Sequence, residues 1–254
     1  MNFGFGAGAR LMRASYELVR VRPTLLLFPL VATCCLVVAT AFWIYEGAWL
    51  YAANGPALLL APVALAALYT LVFVGVFFNV ALAGAADVAI KGGRPTLRDG
   101  LEIAWTHLGP IAGWAAYSAC VSVALGAIES VKQLRWVGKA AEVAWGFATL
   151  FVVPLIALEG ADAGEARRRS FALSRAKWRA ESGGLGALQL AIFVPALLFA
   201  LDAKLLFSGH VHSGSAKLLL GFVLVLGFGF MTCVGVVRQV FAVELYRAGT
   251  RPTL

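Results

Sequence analysis

Six basic residues crowd between Arg167 and Arg179, namely Arg167, Arg168, Arg169, Arg175, Lys177 and Arg179, with Phe171 and Trp178 interleaved among them. Cationic side chains beside an apolar stretch attract anionic headgroups, at about 1 kcal/mol per charge near a membrane surface. Aromatic rings with a polar edge settle at the border of water and lipid. The pattern therefore predicts an anionic lipid site built from Arg167, Arg168, Arg169, Arg175, Lys177, Trp178 and Arg179. A competing reading gives these charges no ligand and has them only orient the chain in the bilayer. Binding to RNA or DNA is a weak third reading, since a net charge of +8 points to nucleic acid only in a soluble protein.

A second group of candidates consists of polar residues inside apolar stretches, which are costly there and hence functional candidates. Asn79, Ala83 and Asp87 line one face if their helix continues towards Lys91, with Gly75 and Gly84 making that helix approachable. With Asp202 and Lys204, which lie in the apolar stretch 185–207, they form a candidate polar path for a transported ion or solute. The plainer reading makes Asn79 an interhelical hydrogen-bonding group and Asp87 part of a solvated stalk, with Asp202 and Lys204 facing water where their span ends. Gln189 and Gln239 suit interhelical hydrogen bonds, while Glu142, Glu159, Arg238 and Glu244 fall near span ends, where headgroups accept charge. Glu159-Gly160 reads as a turn at the membrane surface, and pairing of Glu159 with one of Arg167–Arg169 is the alternative.

Catalytic constellations do not emerge. Cys34, Cys35, Cys120 and Cys233 lie in hydrophobic stretches and form no CxxC pair, so neither a disulfide framework nor a zinc ribbon is implied. His210-Val211-His212 offers two imidazoles without a third ligand, and His107 reads as a helix-end histidine. Gly4-Phe5-Gly6-Ala7-Gly8 follows no strand, there is no GxxxxGK loop, and no GxSxG elbow sets up a serine nucleophile. The expectation is a protein without catalytic residues, metal or cofactor.

The elements that must position these residues follow from composition. Of 254 residues, 61% are hydrophobic and 13% charged, against about 45–50% and about 25% in soluble domains. That excludes an ordinary soluble globule and a disordered chain. Continuous Ala- and Leu-rich runs, without the alternation of a membrane barrel, predict an all-α polytopic helical bundle. Six transmembrane helices are expected, near Thr24–Tyr45, Ala57–Phe78, Leu108–Ile128, Glu142–Leu158, Leu185–Phe207 and Lys217–Val237, with Pro154 freeing a backbone carbonyl in the fourth. Sixteen of the 21 basic residues then fall on one side, which the positive-inside rule makes cytoplasmic together with both termini.

Before the first span, Leu11, Ala14, Ser15, Leu18 and Val19 share one helical face while Arg10, Arg13, Glu17 and Arg20 share the other, a pattern for an interfacial helix. Ala39-Thr40-Ala41 has the form of a signal cleavage site, yet the long amphipathic stretch before it leads us to expect that the first span is retained. Similar basic amphipathic segments precede the third and fifth spans. Each carries a small residue followed by a large apolar one, at Ser15-Tyr16, Gly100-Leu101 and Ser170-Phe171, and then a Gly or Pro break at Pro23, Gly109-Pro110 and Gly183-Gly184. Residues 1–254 are read as a single membrane domain of three hairpin units, about 7–78, 96–158 and 165–237, each opened by an interfacial helix.

These segments also carry a resemblance. Phe77-Phe78-Asn79, Gly92-Gly93-Arg94-Pro95-Thr96 with Asp99-Gly100-Leu101, and Leu108-Gly109-Pro110-Ile111 with Gly113-Trp114 occur in order, followed by Trp145, Ala148-Thr149, Phe151-Val152-Val153-Pro154, Glu159-Gly160, Arg169-Ser170 and Trp178. The chain resembles, over nearly its whole length, a family of bacterial six-span membrane proteins known only as a domain of unknown function. More distantly it is similar to membrane domains fused to some glycerophosphodiester phosphodiesterases. The resemblance implies fold and location, and brings no activity or site residues with it. The expectation is a non-enzymatic protein of the cytoplasmic membrane, with anionic lipids, another membrane protein or further copies of itself as partners, and a small transporter or channel as the alternative.

Overall fold

The computed structural model describes residues 5–53, 59–175, 201, 204 and 214–250. Among them every regular element is helical: α1 (Phe5–Val21), a 3-10 turn (Pro23–Leu26), α2 (Leu27–Ala52), α3 (Leu60–Ile90), α4 (Leu97–Thr106), α5 (Leu108–Ser130), α6 (Arg135–Ala148), α7 (Val152–Glu159), α8 (163–175) and α9 (Gly214–Thr250). Among the described residues five stretches are long and apolar enough to cross a membrane: Pro23–Ala52, Leu60–Ile90, Leu108–Ser130, Arg135–Glu159 and Leu220–Ala248. The span expected at 185–207 lies outside the described residues.

Two of the spans overrun their expected ends by about three turns or more. The 31 residues of α3 reach about 46 Å at 1.5 Å per residue, well beyond a hydrocarbon core roughly 30 Å thick. α9 likewise continues past Val237 to Thr250. The overruns are where the protein packs. Phe78, Val80–Asp87 and Ala89 of α3 are buried, as are Val152 and Pro154–Ala157 of α7 and Val236, Val240–Val243, Leu245 and Tyr246 of α9. These three helix ends pack on one another, while α1 lies on α9, α4 on α3, and α2 and α5 flank α3. The opposite halves of the spans are exposed at Val37, Val38, Phe42, Ile44, Leu65, Phe222, Val225 and Phe230. Such apolar faces suit a lipid solvent, and Tyr45, Trp49, Tyr51 and Trp136 are exposed at the end away from the packed knot, with Tyr16 and Trp105 beside it. The chain is a membrane-embedded helical bundle.

Local chemistry makes the reversals at the knot. Gly92 and Gly160 take positive φ, 86° and 63°, just after α3 and α7, where a residue without Cβ enters the left-handed region freely. Thr96 and Asp99 then form a reciprocal capping box that starts α4. The hydrogen bond from the Thr96 N–H holds the Asp99 carboxyl below the usual carboxylate range.

All three small residues singled out in the amphipathic segments are buried, because each marks the closest approach of its helix to a span. Ser15 meets α9, Ser170 meets the junction of α6 and α7, and Gly100 presses on α3. A Cβ at Gly100 would sit 2.5 Å from the Ala81 carbonyl oxygen and 2.5 Å from the Phe28 ring. Gly100→Val is therefore expected to lower stability by about 1–3 kcal/mol, read as an earlier thermal transition in detergent. Gly75→Ala, with open space around the new carbon, leaves the transition unchanged or raises it.

Candidate functional site

The knot is tied by three side chains close to the end of α9. The Ser15 hydroxyl lies 2.6 Å from Glu244 Oε2 and 3.0 Å from the Leu11 carbonyl oxygen, joining α1 to α9. Tyr246 donates to Glu159 Oε1 at the end of α7. Arg169 of α8 donates to Glu159 Oε2 at 2.5 Å and Glu165 Oε1 at 3.2 Å, and the bond to Glu159 pushes its guanidinium pKa further up. Arg247 Nη2 stands 2.5 Å from Asp87 Oδ1, whose other oxygen pairs with Lys91 at 2.9 Å. Asp87 is only 7% exposed, so this is a charge paired within the protein.

The second construction is the break in the fourth span, where one helix was expected and two occur. Pro154 has no N–H and crowds the carbonyl four residues before it, and the helix stops at Ala148 and restarts at Val152. Two serines of α8, one turn apart, replace the missing bonds. Ser170 donates to the Ala148 carbonyl at 2.7 Å and accepts the Phe151 N–H at 3.2 Å, and Ser174 donates to the Phe147 carbonyl at 2.9 Å. An aromatic cluster holds α8 from the other side: the Trp114 and Trp145 rings stack at 5.8 Å, Phe171 meets Trp145 edge-on at 6.0 Å, and Arg167 lies 4.6 Å over the Tyr117 ring.

The basic cluster is thereby divided. Arg167 and Arg169 hold the fold. Arg168 and Arg175 are exposed and make no ion pair with the described residues. Their spacing of seven places them on one face of α8 with exposed Phe171 and Ala172 between them. Arg175, Phe171 and Ser174 also border an apolar groove of about 440 Å³, walled by Val143, Ala144 and Phe147 of α6. Two guanidinium groups without ion pairs among the described residues, one of them bordering the apolar groove, can hold an anionic amphiphile, the forked N–H groups on a phosphate and the groove on a hydrocarbon chain. Lys177, Trp178 and Arg179 lie outside the described residues.

The expected face of Asn79, Ala83 and Asp87 is not formed. Asn79 is exposed and donates to the Gly75 carbonyl of its own helix at 2.9 Å, while Ala83 and Asp87 are buried. From Val80 to Asp87 α3 is buried on every side, so Asn79 differs from Ala83 and Asp87 in its position along the axis, just before that enclosed stretch. Asp87 is no solvated stalk either, since Arg247 covers it. Lys204 is exposed, and Asp202 lies outside the described residues, as do Gln189 and His210–His212. His107 ends α4 as expected, its Nδ1 2.7 Å from the Ile103 carbonyl oxygen. Among the described residues no three His, Cys, Asp or Glu side chains converge as a metal site. Sequence reasoning missed Tyr246 and the pairings of Glu244 and Arg247; the one available signal was Ser15, a hydroxyl on an otherwise apolar helical face.

A family model described as "Family of unknown function (DUF6159)" matches residues 60–250, from the start of α3 to the end of α9. No curated protein and no solved structure matches the chain.

The division of labour yields two expectations for thermal stability in detergent. Asp87→Ala removes the carboxylate that Arg247 and Lys91 share and costs about 1–3 kcal/mol. Ser170→Ala removes the hydroxyl that bonds the Ala148 carbonyl and the Phe151 N–H and costs about 1–3 kcal/mol, whereas Arg168→Gln stays within about 0.5 kcal/mol of the parent.

Proposed function

We propose, from the premise that the chain belongs to the family of unknown function DUF6159, that it is a non-enzymatic membrane protein that binds anionic lipid on the outer face of α8. The observation that carries this reading is the pair Arg168 and Arg175, exposed, without ion pairs among the described residues, and flanking Phe171 at the mouth of an apolar groove. Arginine presents a planar fork that fits phosphate, and an exposed aromatic ring beside it suits the headgroup level. Lys177, Trp178 and Arg179 extend the same basic segment in sequence.

The distribution of basic residues supports a reading in which the knot, both termini and α8 face the cytoplasmic side of the inner membrane, and the apolar composition of the stretch 185–207 supports a sixth span. The three small-residue contacts of α1, α4 and α8 favour a threefold arrangement of hairpins. The distant likeness to phosphodiesterase-fused membrane domains rests on the sequence pattern alone. A transport path through Asn79 and Asp87 is the weaker reading, because Asp87 is already neutralised by Lys91 and Arg247 and Asn79 bonds to its own helix.

The test is native mass spectrometry of the full chain released from nanodiscs of mixed phosphatidylglycerol and phosphatidylcholine. The parent protein is expected to retain phosphatidylglycerol selectively. R168Q/R175Q should weaken that retention on the order of tenfold, with each charge contributing about 1 kcal/mol, and leave the thermal transition in place. Equal retention by the parent and this variant overturns the reading.

A further inference from the structure

Three charged residues lie in the span Leu220–Ala248, namely Arg238, Glu244 and Arg247. Glu244 is hydrogen-bonded to Ser15 and Arg247 is paired with Asp87. Arg238 is half-buried and has neither an ion pair nor a hydrogen-bond partner among the described residues, and the neighbouring Gln239 Nε2 is buried without an acceptor. A guanidinium stays charged at any pH a protein meets, so within a membrane span it requires an anion from somewhere. The described residues supply none here.

We infer that Arg238 is a separate lipid-anion site, on a different helix from the α8 surface, which takes the phosphate of an anionic phospholipid. Arg238 follows directly on the most apolar stretch of α9 and lies nine residues from Arg247, roughly 13 Å along the axis. That places it towards the knot side of the span, where a long side chain reaches headgroups. One turn away, on the same side, a Cβ added at Gly235 would meet nothing within 4 Å, so no described residue covers the approach. Further along the span, Phe222, Val225, Leu226, Phe228 and Phe230 are exposed and offer apolar surface to the acyl chains. The inference rests on membrane embedding and does not depend on Arg168 or Arg175.

The experiment measures retained phosphatidylglycerol and thermal transition for the full chain in phosphatidylglycerol and phosphatidylcholine nanodiscs. The parent should be more heat-stable in the anionic discs, and R238Q should lose that difference and bind the lipid about tenfold more weakly, as expected for one charge-assisted contact. Gly235→Leu covers the approach, keeps the arginine, and should produce the same loss if R238Q fails to fold. Unchanged retention in Gly235→Leu and in a folded R238Q overturns the inference. So does recovery of the stability by inorganic phosphate in phosphatidylcholine discs, or a dimer mass that R238Q abolishes without loss of lipid, which would assign the counter-ion to a second copy. Loss in R238Q with full retention in R168Q/R175Q would remove the α8 reading and leave this one standing, and the reverse result would do the opposite.

Discussion

Arg247 of α9 and Asp87 of α3 form an ion pair inside the protein, and the remaining packing is arranged around the ends of these two helices. Lipid tails are as apolar as leucine, so two apolar helices in a bilayer gain little from burying side chains against each other. Association has to come from close backbone approach and from polar bonds that lipid cannot replace. Both are concentrated at one end of the bundle. The Ala-rich segment Ala81–Ala89 lets α7, α9 and α4 come close to α3, and Glu244, Tyr246 and Arg247 then reach α1, α7 and α3 respectively. The opposite halves of the spans carry large exposed apolar side chains and belong to the lipid.

The broken fourth span ties the third amphipathic helix to this knot. A proline in a membrane helix leaves backbone groups that must be satisfied within the protein, and here Ser170 and Ser174 satisfy them. α8 is therefore more than a helix resting on the membrane surface. Its serine face completes a neighbouring helix, Arg167 and Arg169 anchor its flanks, and the face that remains is the one bearing Arg168, Phe171 and Arg175. Helical periodicity sorts the four described basic residues of this segment into a structural pair, Arg167 and Arg169, and a pair without ion-pair partners among the described residues, Arg168 and Arg175, a distinction composition cannot make.

Features set by local sequence were legible: the apolar spans, the small residue in each amphipathic segment, the glycine turn after Glu159, and Pro154 as a weak point. Glu159 and Arg169 could be suggested as partners because they are ten residues apart across one turn. The pairing of Asp87 with Arg247 joins residues 160 positions apart in sequence, and nothing in either local pattern fixes the register of α9 against α3. The same missing information turned Asn79 towards Asp87 in the sequence reading. Spacing along a helix does not tell where on its axis the neighbouring helices begin to enclose it, and that decides whether an amide meets the protein or its surroundings.

The charge distribution links fold and ligand. The chain has 21 basic and 13 acidic residues, and at the knot the acids are already committed: Asp87 to Arg247 and Lys91, Glu159 and Glu165 to Arg169, Glu244 to Ser15. Saturating the acids leaves Arg168, Arg175 and Arg238 with no partner among the described residues. Screening by salt neutralises exposed charges cheaply in water, but it is weak where protein and hydrocarbon exclude ions. On the reading proposed above, the counter-charge for these three arginines comes from the surroundings, and the phosphates of anionic lipids are the anions that a bilayer holds at that boundary. On this account the unpaired arginines mark where the fold leaves off and the membrane completes the electrostatics.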